Sequence, residues 1–148
     1  MNIRIATLND APLLVDFNQE MALETEGKQL DAVTLTEGVR AVFSDPNKGF
    51  YVVAEDDGAL VGGLLVTFEW SDWRNRWFWW IQSVYIVPEA RGRGVYRQLY
   101  EHVKNAAAKH ANVCGFRLYV ERENVRAQRV YEKVGMENSI YYMYEEHE

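Results

Sequence analysis

Arg91-Gly92-Arg93-Gly94, continued by Val95-Tyr96-Arg97, brings together the groups that hold a phosphorylated ligand. Glycines let a backbone approach a ligand closely. A helix starting behind them offers unpaired N–H groups and the positive end of its dipole. Arg91, Arg93 and Arg97 carry guanidinium groups that fork onto phosphate oxygens. The recurrence of Val95, Leu99 and Val103 predicts that helix, and Val84-Tyr85-Ile86-Val87, ended by Pro88, predicts a largely buried strand before the loop. Better-known phosphate motifs do not fit. There is no G-x-x-x-x-G-K-[ST], and Arg97 stands where a dinucleotide fingerprint has its third glycine. By itself the loop also fits a solvated turn that opens an ordinary helix.

The elements that must position this loop follow from period and punctuation. Asn2 to Ala6 reads as a short strand with Ile3 and Ile5 on one face. Asp10 is the expected N-cap of a helix with Pro12 in its first turn, and Leu13, Leu14, Phe17, Met21 and Leu23 form its stripe up to Gly27. Thr34-x-x-Glu37 reads as a capping box for a second helix, with Val39, Val42 and Phe43 inward until Asp45-Pro46 stops it. Phe50 to Glu55 is a strand, Asp56-Asp57-Gly58 a hairpin turn, and Leu60 to Trp70 a second strand interrupted by Gly62-Gly63. A polar loop, Ser71 to Arg76, leads into a strand from Trp77 to Val87. A helix from Gly94 to Lys109 and a strand from Gly115 to Glu121 follow. Next comes a helix from Asn124 to Val134 with Ala127, Val130, Tyr131 and Val134 inward, and Gly135 ends it. Ile140 to Glu145 is a last strand. The order is β-α-α-β-β-β-α-β-α-β, an α+β layout read as a single domain over residues 1–148.

Composition bounds the function. With 148 residues, 48% hydrophobic and 26% charged, the chain can bury a proper core. A net charge of −6 argues against a nucleic-acid partner and favours a cationic one. One cysteine, Cys114, forms no internal disulfide, suits a reducing cytoplasm and reads as a small buried hydrophobe. No apolar run suggests a signal peptide or a membrane span. His102, His110 and His147 lack metal-ligand spacing and read as surface or helix-end residues, so no metal is expected.

Two stretches resemble a known family. Arg91-Gly92-Arg93-Gly94-Val95-Tyr96 resembles motif A, R/Q-x-x-G-x-G/A, of the GNAT superfamily of N-acetyltransferases, with Tyr96 in place of its small last residue. The stretch from Tyr119 to Met136 resembles motif B: a strand, Asn124, Ala127, Tyr131 and a closing Gly135-Met136. The element order is also that of the GNAT fold, a central mixed, mostly antiparallel sheet flanked by about four helices.

The resemblance implies acetyl-CoA as cosubstrate and acetyl transfer to an amine. It also implies that the strands holding Val84 to Val87 and Gly115 to Glu121 part after a bulge to admit the pantetheine arm. Carried over residue by residue, Val84, Tyr85 and Ile86 would line the arm. Gly92, Arg93, Gly94, Val95, Tyr96 and Arg97, with Arg91 ahead of them, would hold the pyrophosphate. Asn124 would contact the cofactor near its arm, and Tyr131 would lie close to the thioester sulfur. A homodimer is expected from the same resemblance.

The chemistry adds its own demands. An alkyl amine has a pKa near 10.4, so at pH 7 only about one molecule in a few thousand is neutral and nucleophilic. The enzyme must attract the cation and remove a proton, through water to a carboxylate. The oxyanion needs a donor, for which an unpaired strand N–H, that of Ile86, is the choice. Tyr131, protonated at neutral pH, can hydrogen-bond or protonate the leaving thiolate; an inward core position in its helix is the other reading.

The polyamine-acetylating branch, which Phe68 to Pro88 loosely resembles, has a glutamate where this chain has Gln82, and glutamine takes no proton. Glu69 is then the preferred base. Asp72, Glu24 and Glu26 are further carboxylates at the acceptor site, and Ser83 is a possible water relay. All five tryptophans lie between Trp70 and Trp80. They fit a cation–π box for a charged amine or a dimer seam equally well, with Trp77 and Trp79 on one face and Phe78 and Trp80 on the other. The leading expectation is acetyl transfer to a small cationic amine. A protein lysine or N-terminus as acceptor, or a non-catalytic acyl-CoA-binding module, are the alternatives.

Overall fold

A computed structural model describes residues 1–148 except Ala111. Its elements in chain order are β1 (Asn2–Ile5), α1 (Ala11–Glu26), α2 (Ala32–Ser44), β2 (Phe50–Asp56), β3 (Ala59–Ser71), β4 (Arg76–Ile86), α3 (Val95–His110), β5 (Val113–Arg117) and α4 (Val125–Lys133). The strands form one sheet in the order β1-β2-β3-β4-β5. The first four are antiparallel to their neighbours, and β5 is parallel to β4, reached by the α3 crossover. This is the expected α+β layout of the GNAT fold.

Helices cover both faces. Against one face, Val95, Leu99 and Val103 of α3 pack on Val52, Leu64, Val66, Trp79 and Ile81, with Tyr131, Val134 and Met136 closing the α4 side. Against the other, Leu14 and Phe17 of α1 and Val39 of α2 pack on Tyr51, Val53 and Tyr85. The β2–β3 connection is a two-residue turn with Asp57 and Gly58 both at positive φ (51° and 78°), the geometry that suits the right-handed twist of a hairpin.

Several local expectations change. The second helix starts at Ala32, capped by Asp31, whose carboxylate accepts from the Thr34 N–H and Oγ1; the Thr34–Glu37 box is not used. Asp10 precedes α1 but caps nothing there. Its carboxylate accepts two bonds from Arg4 and one from the Thr7 N–H instead. Leu13 and Leu23 of α1 and Val130 of α4 face solvent, because the buried stripes are set by the sheet the helices meet and are narrower than the apolar runs. Cys114 is partly exposed on the edge strand rather than buried. Residues 140–145 form no strand: they have no strand neighbour in the chain, and a strand needs a partner for its backbone groups.

Candidate active site

The site begins at a defect in β4. Gly63 pairs with Tyr85 and Leu65 with Gln82, so Ser83 and Val84 together face the single residue Leu64, and Ser83 adopts φ 53°. This is a β-bulge, which bends its strand and sharpens the local twist. Pairing of β4 with β5 runs only from Trp77/Val113 to Trp80/Arg117, whereas β4 continues to Ile86. The two strands therefore part, and β5 ends four residues before the expected Glu121. The Val87 N–H is bonded to Val61 of β3, while the Ile86 carbonyl, facing the other way, accepts from Arg91 Nε at 2.9 Å. By strand alternation the main-chain groups of Val84 and Ile86 face the gap.

The chain leaves β4 through a short 3-10 turn, Pro88–Ala90, and reaches α3 through Gly92 and Gly94, both at φ 75°. Nothing lies within 4 Å of where a Cβ on either glycine would stand. Open backbone at positive φ, a helix start with unbonded N–H groups and an unpaired strand edge fit a ligand that has an extended arm and a phosphate group. All three arginines nearby have protein partners. Arg91 Nη2 pairs with Glu24 at 2.8 Å and its guanidinium lies 5.5 Å from the centre of the Tyr85 ring. Arg93 pairs with Asp56 at 3.0 Å on the surface, and Arg97 donates to the Lys133 carbonyl at the end of α4. Arg91 and Arg97 thus brace the loop against α1 and α4.

Tyr96 turns inward. Its ring stacks on Tyr100 and meets Tyr131 edge-on at 5.3 Å, and its buried hydroxyl has no hydrogen-bond partner among the described residues. Only its main chain belongs to the loop. Burial raises the pKa of Tyr96, with Tyr131 and Tyr100 adding to it, and burial likewise raises that of Tyr131. Tyr131 therefore stays protonated well above neutral pH. Asn124 caps α4, its Oδ1 accepting from the Ala127 N–H at 3.2 Å.

Register places Thr67, Glu69, Phe78, Trp80, Gln82 and Arg117 on the face that α1 and α2 cover only in part. Glu69 Oε1 accepts from Trp80 Nε1 at 2.8 Å and from Arg117 Nη1 at 2.9 Å; Gln82 Nε2 donates to Thr67 Oγ1 at 2.6 Å. Arg117 lies 3.6 Å from the centre of the Phe78 ring and Arg74 5.1 Å from it. A shallow cleft of about 250 Å³ is lined here by Glu69, Asp72, Trp73, Arg74, Arg117 and Tyr141, among others.

Glu69 and Asp72 are thus brought together. Glu24 belongs elsewhere, between Arg91 and the Tyr85 hydroxyl, and Glu26 pairs with Lys28 on the surface. The tryptophans divide as alternation predicts: Trp79 is buried under α3, Trp80 faces the cleft, and Trp73 is 89% exposed. Arg74, Arg117 and Tyr141 were not singled out from sequence. For Arg117 the only signal is its place on the expected strand from Gly115, and the parallel register that sets it beside Trp80 is not written locally. Among the described residues no group of three or more His, Cys, Asp or Glu is placed to hold a metal, and no helix is long and apolar enough to cross a membrane.

Comparison with known proteins agrees with this geometry. Residues 12–136 match the model of the acetyltransferase (GNAT) family. The structure of a possible acetyltransferase from Clostridium difficile 630 is similar, with 44% identity and a TM-score of 0.91, covering 99% of this chain and 96% of that one. An uncharacterized N-acetyltransferase of Bacillus subtilis (strain 168), YhfO, is 25% identical over 93% of this chain and 90% of its own. A predicted acetyltransferase from Clostridium acetobutylicum, whose structure was determined with acetyl-CoA, shares the fold at 20% identity with a TM-score of 0.80, covering 98% of this chain and 95% of that one.

Proposed function

Because the chain belongs to the acetyltransferase (GNAT) family, we propose that it transfers an acetyl group from acetyl-CoA to the primary amine of a small cationic acceptor by direct attack, as a cytoplasmic homodimer. The observation that carries this reading is the parting of β4 from β5 behind the Ser83 bulge, which leaves the main chain of Val84 and Ile86 open beside the Gly92–Gly94 turn. Bound acetyl-CoA supplies the acyl group as a thioester.

The protein's part is to bind, orient and move protons. Main-chain groups of Val84, Tyr85 and Ile86 hold the extended arm, and the N–H groups from Gly92 to Arg97 hold the pyrophosphate. Arg93 trades its exposed Asp56 partner for a phosphate oxygen, an exchange made cheap by the small worth of surface ion pairs. Arg91 keeps the loop in shape through Glu24 and the Ile86 carbonyl. Asn124 fixes the start of α4, so that Tyr131 presents its hydroxyl to the leaving sulfur. The Ile86 N–H is the donor for the acyl oxygen. Glu69 receives the amine proton through water, with Ser83 as relay, and Asp72 draws the cation. Glu24, Glu26 and Gln82 complete the acceptor side.

One observation favours a peptide acceptor as the second reading. Arg74 lines the cleft without a carboxylate partner among the described residues, and it suits an acceptor that carries a carboxylate as well as an amine.

Thermal unfolding with acetyl-CoA, CoA and NAD tests the cofactor. At about a hundred times its Kd a ligand adds roughly 2.7 kcal/mol of stability. Acetyl-CoA and CoA are expected to raise the midpoint and NAD to leave it; no shift with either CoA form overturns the reading. Thiol release across polyamines, amino sugars and short peptides then selects the acceptor class.

A further inference from the structure

The C-terminal segment disagrees with its surroundings. Ile140-Tyr141-Tyr142-Met143-Tyr144 is a run of side chains that favours strands, yet none of it is in a strand and every one of these residues is exposed. Ile140, Tyr142 and Tyr144 are 91%, 81% and 92% exposed. No other consecutive run of large apolar side chains among the described residues lies so open.

The sheet has a matching vacancy. β5 is an edge strand with one neighbour, β4, and its residues, Val113-Cys114-Gly115-Phe116-Arg117, include neither the Pro nor the Lys that commonly blunt such an edge. Its outer groups are free apart from the Val113 carbonyl, which accepts from Arg76 Nη2 at 2.6 Å. An unpaired strand former and an unpaired edge complement one another in backbone hydrogen bonding. Within one copy they do not pair. After α4 the chain reaches the β3–β4 hairpin, where Tyr141 lies against the cleft of Glu69, Asp72 and Arg117.

We infer that two copies of this chain exchange these segments, residues 140–144 of each adding as a sixth strand to β5 of the other. Donor and edge belong to the same chain, so a two-fold arrangement satisfies both at once, whereas a foreign partner covers only one of them. The size fits. Three tyrosines of about 150–250 Å² each present on the order of 500 Å² per chain, and the two-fold pair about 1,000 Å², the lower bound of a specific interface even before the covered edges are added. The charge fits as well. The segment ends in Glu145-Glu146-His147-Glu148, and the hairpin beside β5 offers Arg74 and Arg76, neither of which has a carboxylate partner among the described residues. This exchange deepens the homodimer reading and does not depend on acetyl transfer.

Cys114, the only cysteine, lies on the receiving strand and makes the test direct. Ile140→Cys, Tyr142→Cys and Tyr144→Cys are made separately, oxidised, and run on a gel without reductant. Facing residues of paired strands are about 4.5–5.5 Å apart at Cα, within disulfide range. At least one variant is expected to give a major band of twice the chain mass, lost in a Cys114→Ser background and absent from the oxidised parent protein. Light scattering is expected to find the parent dimeric, and Tyr142→Pro, at a residue exposed in the single copy, monomeric with an unchanged circular dichroism spectrum. A disulfide formed within one chain overturns the exchange, because the segment then folds onto its own β5. A monomeric parent protein overturns it, and so does a dimer that Tyr142→Pro leaves intact.

Discussion

From Trp77 to Trp80, β4 is bonded to strands on both sides; from Gln82 to Ile86 it is bonded on one side only. The closed half is lined with rings. Trp79 meets Phe50 and Phe68, Trp77 meets Trp70 and Phe68, and Arg117 lies over Phe78. The open half starts from a strained residue, Ser83, and leaves main-chain groups without strand partners. Backbone strain and unpaired groups persist only where the surroundings over-determine them. Here the surroundings are the closed half of the same strand and the α3 core behind it. One strand thus divides the work: its first half holds the sheet together, and its second half is kept open for a ligand.

That division is breakable at several points. The largest effect is expected from Tyr131→Phe, beside the open half: turnover falls by about 10²–10⁴-fold while the acetyl-CoA Kd, read by calorimetry, stays within about twofold. Burial holds the Tyr131 hydroxyl above its ordinary pKa near 10, so no alkaline loss of kcat below about pH 10 should trace to it. A limb near pH 8 that disappears in Tyr131→Phe would reject the assignment.

In the closed half, Trp79→Ala should cost about 3–5 kcal/mol in urea unfolding, with acetyl-CoA affinity of the folded protein unchanged. A loss of affinity without loss of stability would invert the comparison.

The far edge of the sheet serves as a control. Arg4 Nη2 and Nε reach Glu55, and Arg4 bonds both carboxylate oxygens of Asp10, holding both carboxyls below their ordinary pKa against a small opposing effect of burial. Groups with depressed pKa values add stability that is present above their unfolded pKa, about 4, and is lost as pH falls through the folded values. Arg4→Met should therefore cost about 1–2 kcal/mol at pH 7, and the gap to the parent should close below about pH 4. A gap independent of pH would assign the loss to packing. The smallest effect is expected at the joint itself: Ser83→Gly should gain about 0.5 kcal/mol by relieving its positive φ, read as a shift of the urea midpoint.

Residues 140–144 teach the same lesson as β4 from the other side. Their β-branched and aromatic character is plain in the sequence, but a strand exists only where a partner offers its edge, and within one chain none does.

What the sequence determined by itself is what depends on near neighbours. The helical spacing of Val95, Leu99 and Val103, the Asp57-Gly58 turn, the Gly92–Gly94 loop and the N-cap at Asn124 are set within a few residues, where backbone geometry and side-chain period act directly. With them came the fold and the family. Tertiary structure alone decided the rest. It set Arg117 beside Glu69 across a parallel register, turned Arg91 from a phosphate ligand into a brace on Glu24, and drew Tyr96 into the core against Tyr131. Each of these joins residues far apart in the chain, or sends a side chain to one of two places that its neighbours in sequence leave equally open. Only the packing of the whole chain chooses between them, because the partners that make one choice cheaper arrive from other elements.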